Sequence, residues 1–138
     1  MTIPGSGSHL GASRGANMLT NQRLLIVEEE FLIAFDIQRV IEGAHARHTV
    51  FARNFDEAGK LADRFEEFDL AIVTPPRDAD DQAIADRLVA AGAAIVVSSA
   101  ARVNLAGSSL AAAPVVYKPF LDDDLLAACR TALEARPR

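Results

Sequence analysis

The sequence predicts an α/β protein in which helices cover both faces of a parallel, doubly wound β-sheet. Two observations carry this prediction. Short apolar runs with little polar alternation recur along the chain, which is typical of strands buried on both faces. Segments with apolar residues at helical spacing separate these runs, and the strand–helix alternation repeats five times with short connections. The expected strands are residues 24–27, 48–51, 69–74, 94–98 and 115–117.

The segments between the strands differ in how clearly they predict helices. The first helix is expected to run from Phe31 to Gly43, and the last is expected to open at Asp122. Residues 77–81 read as a charged loop that follows two prolines. Residues 99–113 are small, polar and irregular, with one short helix expected at about Arg102–Leu105. The residues expected to face the sheet from the first helix are Phe31, Ala34, Phe35, Val40 and Ile41.

The composition excludes several classes of protein. Half of the 138 residues are hydrophobic and the net charge is −5, with no basic block, so non-specific nucleic-acid binding is not expected. The single cysteine, Cys129, excludes an internal disulfide and a Cys-based zinc site, and its apolar helical surroundings predict a buried thiol. No apolar run approaches a membrane span and the N-terminus lacks a signal-peptide core, which predicts a cytoplasmic protein.

The first twenty residues differ from the rest of the chain. Residues 1–20 are rich in glycine, serine and alanine and show no periodicity, which predicts a disordered N-terminal tail before one domain at residues 21–138. Met18 lies just before the first strand, so an upstream start codon or an added extension would explain the tail. The sequence is compatible both with a complete protein and with a domain cut from a longer one.

Side chains suited to binding chemistry follow the strands where each strand ends. They are Glu28, Glu29 and Glu30 after the first strand, Thr74 after the third, Ser98 and Ser99 after the fourth and Lys118 after the fifth. Because the carboxyl ends of parallel strands converge at one edge, we expect these groups to meet there. Taken alone, the acidic run also fits solvated residues that open the next helix. Together with the other strand ends, it favours a pocket for a divalent cation and a phosphoryl group.

From about residue 23 to residue 133, the chain resembles the receiver domain of bacterial two-component response regulators. The matching motifs are the acidic run Glu28-Glu29-Glu30, the Ser99-Ala100 step after the fourth strand and Lys118-Pro119-Phe120 after the fifth. The resemblance implies a flavodoxin-like sheet of order 2-1-3-4-5, with a Lys-Pro bond that is usually cis in the family. It also implies that Ser99, Lys118 and Pro119 are the equivalents of the family's phosphoryl-pocket residues.

One position departs from the family pattern. Thr74 stands where the phospho-accepting aspartate normally follows the third strand. An acyl phosphate requires a carboxylate, and a threonine hydroxyl needs an adjacent base that the sequence does not supply. The resemblance therefore predicts a pseudo-receiver that is not phosphorylated. The alternative is a receiver that takes phosphate from a histidine kinase at a substitute carboxylate, namely Asp78, Asp80 or Asp81.

The metal site is expected to be weak as well. Glu28 and Glu29 would hold Mg²⁺ weakly at best, because one carboxylate of the family's set is missing. The other interpretation is that these glutamates pair with Lys118, which compensates their charge without a metal. Strand alternation points Tyr117 away from Lys118, and a packed strand residue is expected there.

The predicted function is signalling through protein–protein contacts, without enzymatic activity. The expected partner is a histidine kinase or another signalling protein, and neither nucleic acid nor membrane is expected. In the family, the surface of the fourth helix, fifth strand and fifth helix serves output or dimerisation. This corresponds to about residues 102–135, where a homodimer contact would lie. An unrelated small-ligand or hydrolytic domain would need a glycine-rich phosphate loop, and acids stand there instead.

Overall fold

The computed structural model describes residues 17–136, in which strands and helices alternate. The strands are β1 (Arg23–Val27), β2 (His48–Ala52), β3 (Leu70–Val73), β4 (Ala94–Ser99) and β5 (Val115–Tyr117). The helices are α1 (Phe31–Gly43), α2 (Phe55–Gly59), a 3-10 helix (Ala62–Glu67), α3 (Ala79–Ala90) and α4 (Asp122–Glu134). Every expected strand is present, and each of its ends lies within one residue of the expected position.

The strands form one parallel sheet of order β2-β1-β3-β4-β5. Val27 is in register with Ala52 on one side and with Val73 on the other, and Val73 is in register with Val97. The carboxyl ends of these strands therefore lie level at one edge of the sheet. The fold class and the strand order expected from the sequence are both confirmed.

Each strand sends alternate side chains into two apolar layers. Leu24 and Ile26 of β1 pack in the layer under α1 and α4, whereas Leu25 and Val27 pack under α2 and α3. Cys129 of α4 lies fully buried in the first layer, as the sequence predicted, and burial raises the pKa of its thiol to about 12. Fully burying an aliphatic side chain contributes about 1.5–3 kcal/mol, so these two layers dominate the stability of the fold.

Helix α1 turns a different face to the sheet than the sequence analysis expected. Ala34, Val40 and Ile41 are buried as expected, but Phe31 and Phe35 are exposed. They lie on the flank of the helix towards β2, which is the edge strand, and no further element among residues 17–136 covers that flank. The fourth buried position is Ile37.

Residues 78–81 begin α3, so the expectation of a charged loop there was wrong. Asp78 is the N-cap, and its Oδ1 accepts a hydrogen bond from the backbone N of Asp81 at 2.9 Å. Asp81 is itself buried, and its Oδ2 accepts hydrogen bonds from the backbone N and Nε of Arg77 at 3.0 and 2.9 Å. Carboxylates are favourable at the N-terminus of a helix, which explains why this acidic run is helical.

The connection from β4 to β5 contains turns but no helix, so the short helix expected at Arg102–Leu105 was wrong. Asn104 Oδ1 accepts a hydrogen bond from the amide two residues further along at 3.0 Å. Ser108 Oγ donates to the Leu105 carbonyl at 2.7 Å. Such local side-chain bonds satisfy the backbone and compete with helix formation.

The packed domain begins earlier than residue 21. Residues 1–16 of the predicted tail lie outside the described part of the chain, but residues 17–20 are described. Leu19 is fully buried, and its backbone N donates to the Ala44 carbonyl at 3.0 Å. The prediction of a tail was wrong for these last residues, because composition does not reveal that one leucine has a place in the core.

Candidate functional site

The carboxyl edge of the sheet holds a buried ion pair between the ends of β1 and β5. Glu28 follows β1 and its side chain is 2% exposed, whereas Lys118 follows β5 and its side chain is 12% exposed. Lys118 Nζ lies 2.7 Å from Glu28 Oε1. The contact is a close ion pair without hydrogen-bond geometry, since Oε1 accepts no hydrogen bond within the described residues. Each charge compensates the other in a site that water hardly reaches.

The loops after these two strands fix both partners of the ion pair. Glu28 Oε2 accepts a hydrogen bond from the backbone N of Glu30 at 3.0 Å, so the carboxylate also closes the turn into α1. The backbone N of Lys118 donates to the Ser99 carbonyl at 2.8 Å, which ties β5 to β4. The Lys118–Pro119 peptide bond is cis, as the resemblance implied.

Thr74 follows β3 at the level of the ion pair. Val73 is in register with Val27, and the backbone N of Thr74 donates to the Val27 carbonyl at 3.1 Å. Thr74 is half-buried, and the residue beside it at the end of β1 is Glu28. The structure therefore brings Thr74 to the expected place at the end of β3, next to the strand end that carries the paired Glu28.

The two serines of β4 have different environments. Ser99 is buried, and its Oγ donates to the Ala101 carbonyl at 2.5 Å and accepts from the Ala101 backbone N at 3.2 Å. These bonds close the turn after β4 and occupy the hydroxyl locally. Ser98 is also buried, and its Oγ has no hydrogen-bond partner within residues 17–136.

Glu29 does not join the ion pair. Glu29 is exposed just before α1. The hydrogen bond and the charge of Asp81 are the main causes that raise the pKa of Arg77, and the charge of Glu29 raises it to a smaller extent. Burial would raise the pKa of Asp81, but its hydrogen bonds with Arg77 and the charge of Arg77 outweigh burial and lower that pKa. Arg77 is thus held by the acidic start of α3 rather than by the pocket.

One of the two glutamates expected to hold magnesium is already engaged by other groups. Glu28 is engaged by Lys118 and by a backbone amide, which leaves Glu29 as the free carboxylate of the expected pair. Within residues 17–136, no three His, Cys, Asp or Glu side chains are grouped so that they would hold a metal ion. Magnesium takes oxygen ligands in near-octahedral geometry, commonly from one or two carboxylates.

A cleft between α1 and β2 was not expected from the sequence. Phe31 and Phe35 line it from the helix, Phe51 lines it from the strand, and Glu29 and Arg53 contribute charged groups. The sequence did show two phenylalanines four residues apart on α1, but it equally allowed them to face the sheet. Since α1 has apolar residues on more than one face, periodicity alone does not select the buried one.

A parallel sheet of order 2-1-3-4-5, with acid, hydroxyl and lysine groups at its carboxyl edge, is a doubly wound sheet of the flavodoxin-like type. Comparisons with known proteins agree at the level of the fold. No protein-family model matches the sequence, and no curated protein matches it either. Solved structures do match, and several of them are response-regulator receiver domains.

Three of these structures illustrate the similarity. A response regulator receiver protein from Sinorhizobium medicae has a TM-score of 0.71 and 17% identity, with 85% of this chain and 98% of that chain covered. The signal receiver domain of an HD domain-containing protein from Pseudomonas fluorescens has a TM-score of 0.67 and 21% identity, with 83% and 95% covered. The response regulator PhyR from Brucella abortus has a TM-score of 0.67 and 25% identity.

The PhyR match covers 94% of this chain but 53% of PhyR, so the chain spans about half the length of that protein. The chain therefore has the receiver fold of response regulators, in its flavodoxin-like form.

None of the helices in the described part of the chain is long and apolar enough to cross a membrane.

Proposed function

We propose that this chain is a receiver-like signalling domain that acts through protein contacts and neither accepts nor transfers phosphate. One observation carries the proposal. At the end of β3 stands Thr74, and the neighbouring Glu28 is already neutralised by Lys118 at 2.7 Å. A receiver that is phosphorylated needs a carboxylate at that position and a lysine available for the incoming phosphoryl group. The proposed domain is accordingly not an enzyme.

The environment of the substitute carboxylates argues against the alternative function. Asp78 caps α3, and Asp81 is buried and bound by Arg77. Using either as a phosphate acceptor would open the first turn of that helix. Asp80 is exposed on the same turn, and Pro75-Pro76 separates the whole group from Thr74, the position next to Glu28 at the edge of the sheet. The proposal therefore assigns these acids a structural role.

The proposal also does without a resident metal ion. The Glu28–Lys118 pair performs the charge compensation that a divalent cation would otherwise supply. A buried carboxylate costs several kcal/mol unless it is paired, and the lysine is the partner that the structure provides. The domain would then be held in one state or be switched by a partner rather than by phosphate, since a ligand shifts an equilibrium only through differential binding.

Beryllofluoride, which mimics a phosphoryl group on a carboxylate, tests the proposal directly. Amide NMR spectra would be recorded with and without magnesium and beryllofluoride for the wild type, Thr74→Asp and Thr74→Asn. We expect no change in the wild type or in Thr74→Asn, which matches aspartate in shape but lacks its charge. We expect shifts near Glu28, Ser99 and Lys118 in Thr74→Asp.

A wild-type response would contradict the proposal. If such a response disappeared in Asp78→Asn, Asp80→Asn or Asp81→Asn, the domain would be a phosphorylatable receiver with a substitute acceptor. Silence of all variants, Thr74→Asp included, would show that the Glu28–Lys118 pair blocks the pocket. Pull-downs with histidine kinases and with other signalling proteins would then define the partner class.

A further inference from the structure

A contiguous apolar surface covers the start of α1 and the adjacent part of β2. Phe31, Leu32 and Phe35 are 72%, 79% and 59% exposed, and Phe51 of β2 is 41% exposed. The rings of Phe31 and Phe35 stack with their centroids 5.2 Å apart. Single exposed apolar residues are ordinary, but a cluster of three phenylalanines and a leucine marks an interaction site. We call these four residues the α1–β2 surface.

The shape of this surface suits an elongated ligand. A cleft of about 580 Å³ lies between α1 and β2, with the three phenylalanine rings in its walls. A second depression, of about 500 Å³, lies along α1 and shares Phe35 and Gln38 with the first. Leu32 lines the second depression. The apolar surface thus runs across the helix and continues beyond a single pocket, which favours a segment of a protein over a small molecule.

The charged side chains around the α1–β2 surface have a small excess of negative charge. The exposed carboxylates that line the two depressions are Glu29, Asp36 and Glu42, and the guanidinium groups are Arg39 and Arg53. Arg39 Nη2 lies 2.8 and 2.9 Å from the carboxylates of Asp36 and Asp122, so Arg39 and Asp36 compensate each other. The charged lining groups without an ion pair within residues 17–136 are then Glu29, Glu42 and Arg53. A second copy of this chain would bring the same excess of negative charge, whereas a basic partner would complement it.

Residues 102–135, which the sequence analysis expected to form the interface, expose fewer large apolar side chains. Its exposed large apolar residues are Tyr117, at 48%, and Leu121, at 72%. No helix forms between β4 and β5, so a surface built from a fourth helix, a fifth strand and a fifth helix is incomplete. The structure thus moves the best candidate interface to the opposite edge strand of the sheet.

We propose that the α1–β2 surface binds an amphipathic helix of a partner protein, with apolar anchors one and two turns apart and basic residues on its flanks. Phe35 stands between the two depressions and contributes to both, so it is the central contact. Apolar grooves of this kind receive helices through residues spaced i, i+3 or i+4 and i+7. The inference rests on the proposed protein-binding role and names the chemistry of the partner.

Selection from a displayed library of 16-residue peptides tests the inference without knowledge of the natural partner. We expect the enriched peptides to have apolar residues at helical spacing and a net positive charge. As synthetic peptides, they should bind Phe35→Ser at least about tenfold more weakly than the wild type, as expected for a central anchor. Tyr117→Ser, on the other edge strand, is the matched control and should bind like the wild type. Reversing the basic residues of a peptide to glutamate should weaken binding to the wild type.

Several results would overturn the inference. These are a library without enriched peptides, enriched peptides that are neutral or acidic, and binding that Tyr117→Ser reduces but Phe35→Ser does not. Self-association in sedimentation velocity that Phe35→Ser abolishes would replace the basic partner with a second copy of the chain. The beryllofluoride result is independent: a wild-type response would contradict the proposed function while leaving peptide binding intact. If no peptide is enriched and the wild type does not respond to beryllofluoride, the docking inference is contradicted and the proposed function is not.

Discussion

The first and last helices of this domain bury similar apolar faces in the core but present different surfaces to solvent. Both α1 and α4 have thirteen residues, and both pack on the same layer of the core. On its outer side, α4 carries polar or small residues such as Asp123, Arg130 and Glu134. The outer side of α1 begins with Phe31, Leu32 and Phe35. Since the inner faces of both helices already fill the core, packing on the core does not account for the exposed phenylalanines of α1, whereas the proposed binding role does.

The two helices also begin differently. The first turn of α4 contains three aspartates, which suit the positive end of the helix dipole, whereas the first turn of α1 contains no acid. The starts of the helices are nevertheless linked, because Glu28 precedes α1 and Lys118 precedes α4. Arg39 of α1 adds a second link, with its Nη1 and Nη2 3.1 and 2.9 Å from the carboxylate of Asp122. The contacts that link the two helices therefore differ from the exposed apolar residues that only α1 carries.

The largest effect is expected from the buried link between the two helix starts. Lys118→Met would leave the Glu28 carboxylate buried without a partner and should lower the free energy of unfolding by about 3–5 kcal/mol. The double variant Lys118→Met with Glu28→Gln removes both charges and should recover most of this loss. Urea denaturation of the two variants measures the difference. A loss below about 1 kcal/mol in the single variant would mean that the pair is not desolvated.

Truncating a buried side chain should lower the free energy of unfolding by a similar amount in α1 and in α4. Ile37 of α1 and Leu125 of α4 are both fully buried in the same layer. Replacing either by alanine should lower the free energy of unfolding by about 2–5 kcal/mol, through lost burial and the cavity left behind. Urea denaturation with an unchanged slope would confirm that both variants start from the native fold. A much smaller loss for Leu125→Ala would show that α4 contributes less to the core than its burial indicates.

The outer faces should matter little for stability. Phe35→Ser on α1 and Arg130→Ser on α4 should each change the free energy of unfolding by about 0.5 kcal/mol or less, as is usual for surface positions. The stacking of Phe35 on Phe31 adds only a few tenths of a kcal/mol on a helix surface. Thermal and urea unfolding measure both variants. A loss above about 1.5 kcal/mol for Phe35→Ser would assign it to packing and weaken the docking inference.

The exposed link between the helices should give the smallest effect, visible as a pH dependence. The hydrogen bond from Arg39, followed by its charge, outweighs slight burial and holds the pKa of Asp122 below its ordinary value of 3.8. A lowered folded-state pKa stabilises the fold above the ordinary pKa, and that stabilisation is lost as the pH falls through the folded value. Carboxyl NMR titration should show the pKa returning upward in Arg39→Gln. Identical titrations in the two proteins would show that the contact does not persist in solution.

Local patterns were sufficient for much of this domain. The bounds of α1 and of the five strands followed from hydrophobic periodicity, because strands covered on both faces must be apolar throughout. The strand order came from resemblance to a known family rather than from periodicity. The meeting of Glu28, Thr74 and Lys118 at one edge followed from the geometry of parallel strands.

Other features depended on contacts that no local pattern encodes. Leu19 joined the core although it follows a segment rich in glycine, serine and alanine that shows no periodicity. Tyr117 was expected to be packed but is about half exposed, because β5 is an edge strand and only one of its residues, Val116, is buried. The connection before β5 remained without a helix because its asparagine and serine side chains bind the backbone locally.

The sequence by itself determined the receiver fold, the residues at its carboxyl edge and the absence of an aspartate at position 74. The tertiary structure decided which of those residues interact, since Lys118 could pair with either glutamate and packing brought it to Glu28. It also decided which side of α1 faces solvent. The physical reason is the same in both cases. Periodicity and composition describe what each residue prefers, whereas the choice between equivalent partners or faces depends on which elements fold against them.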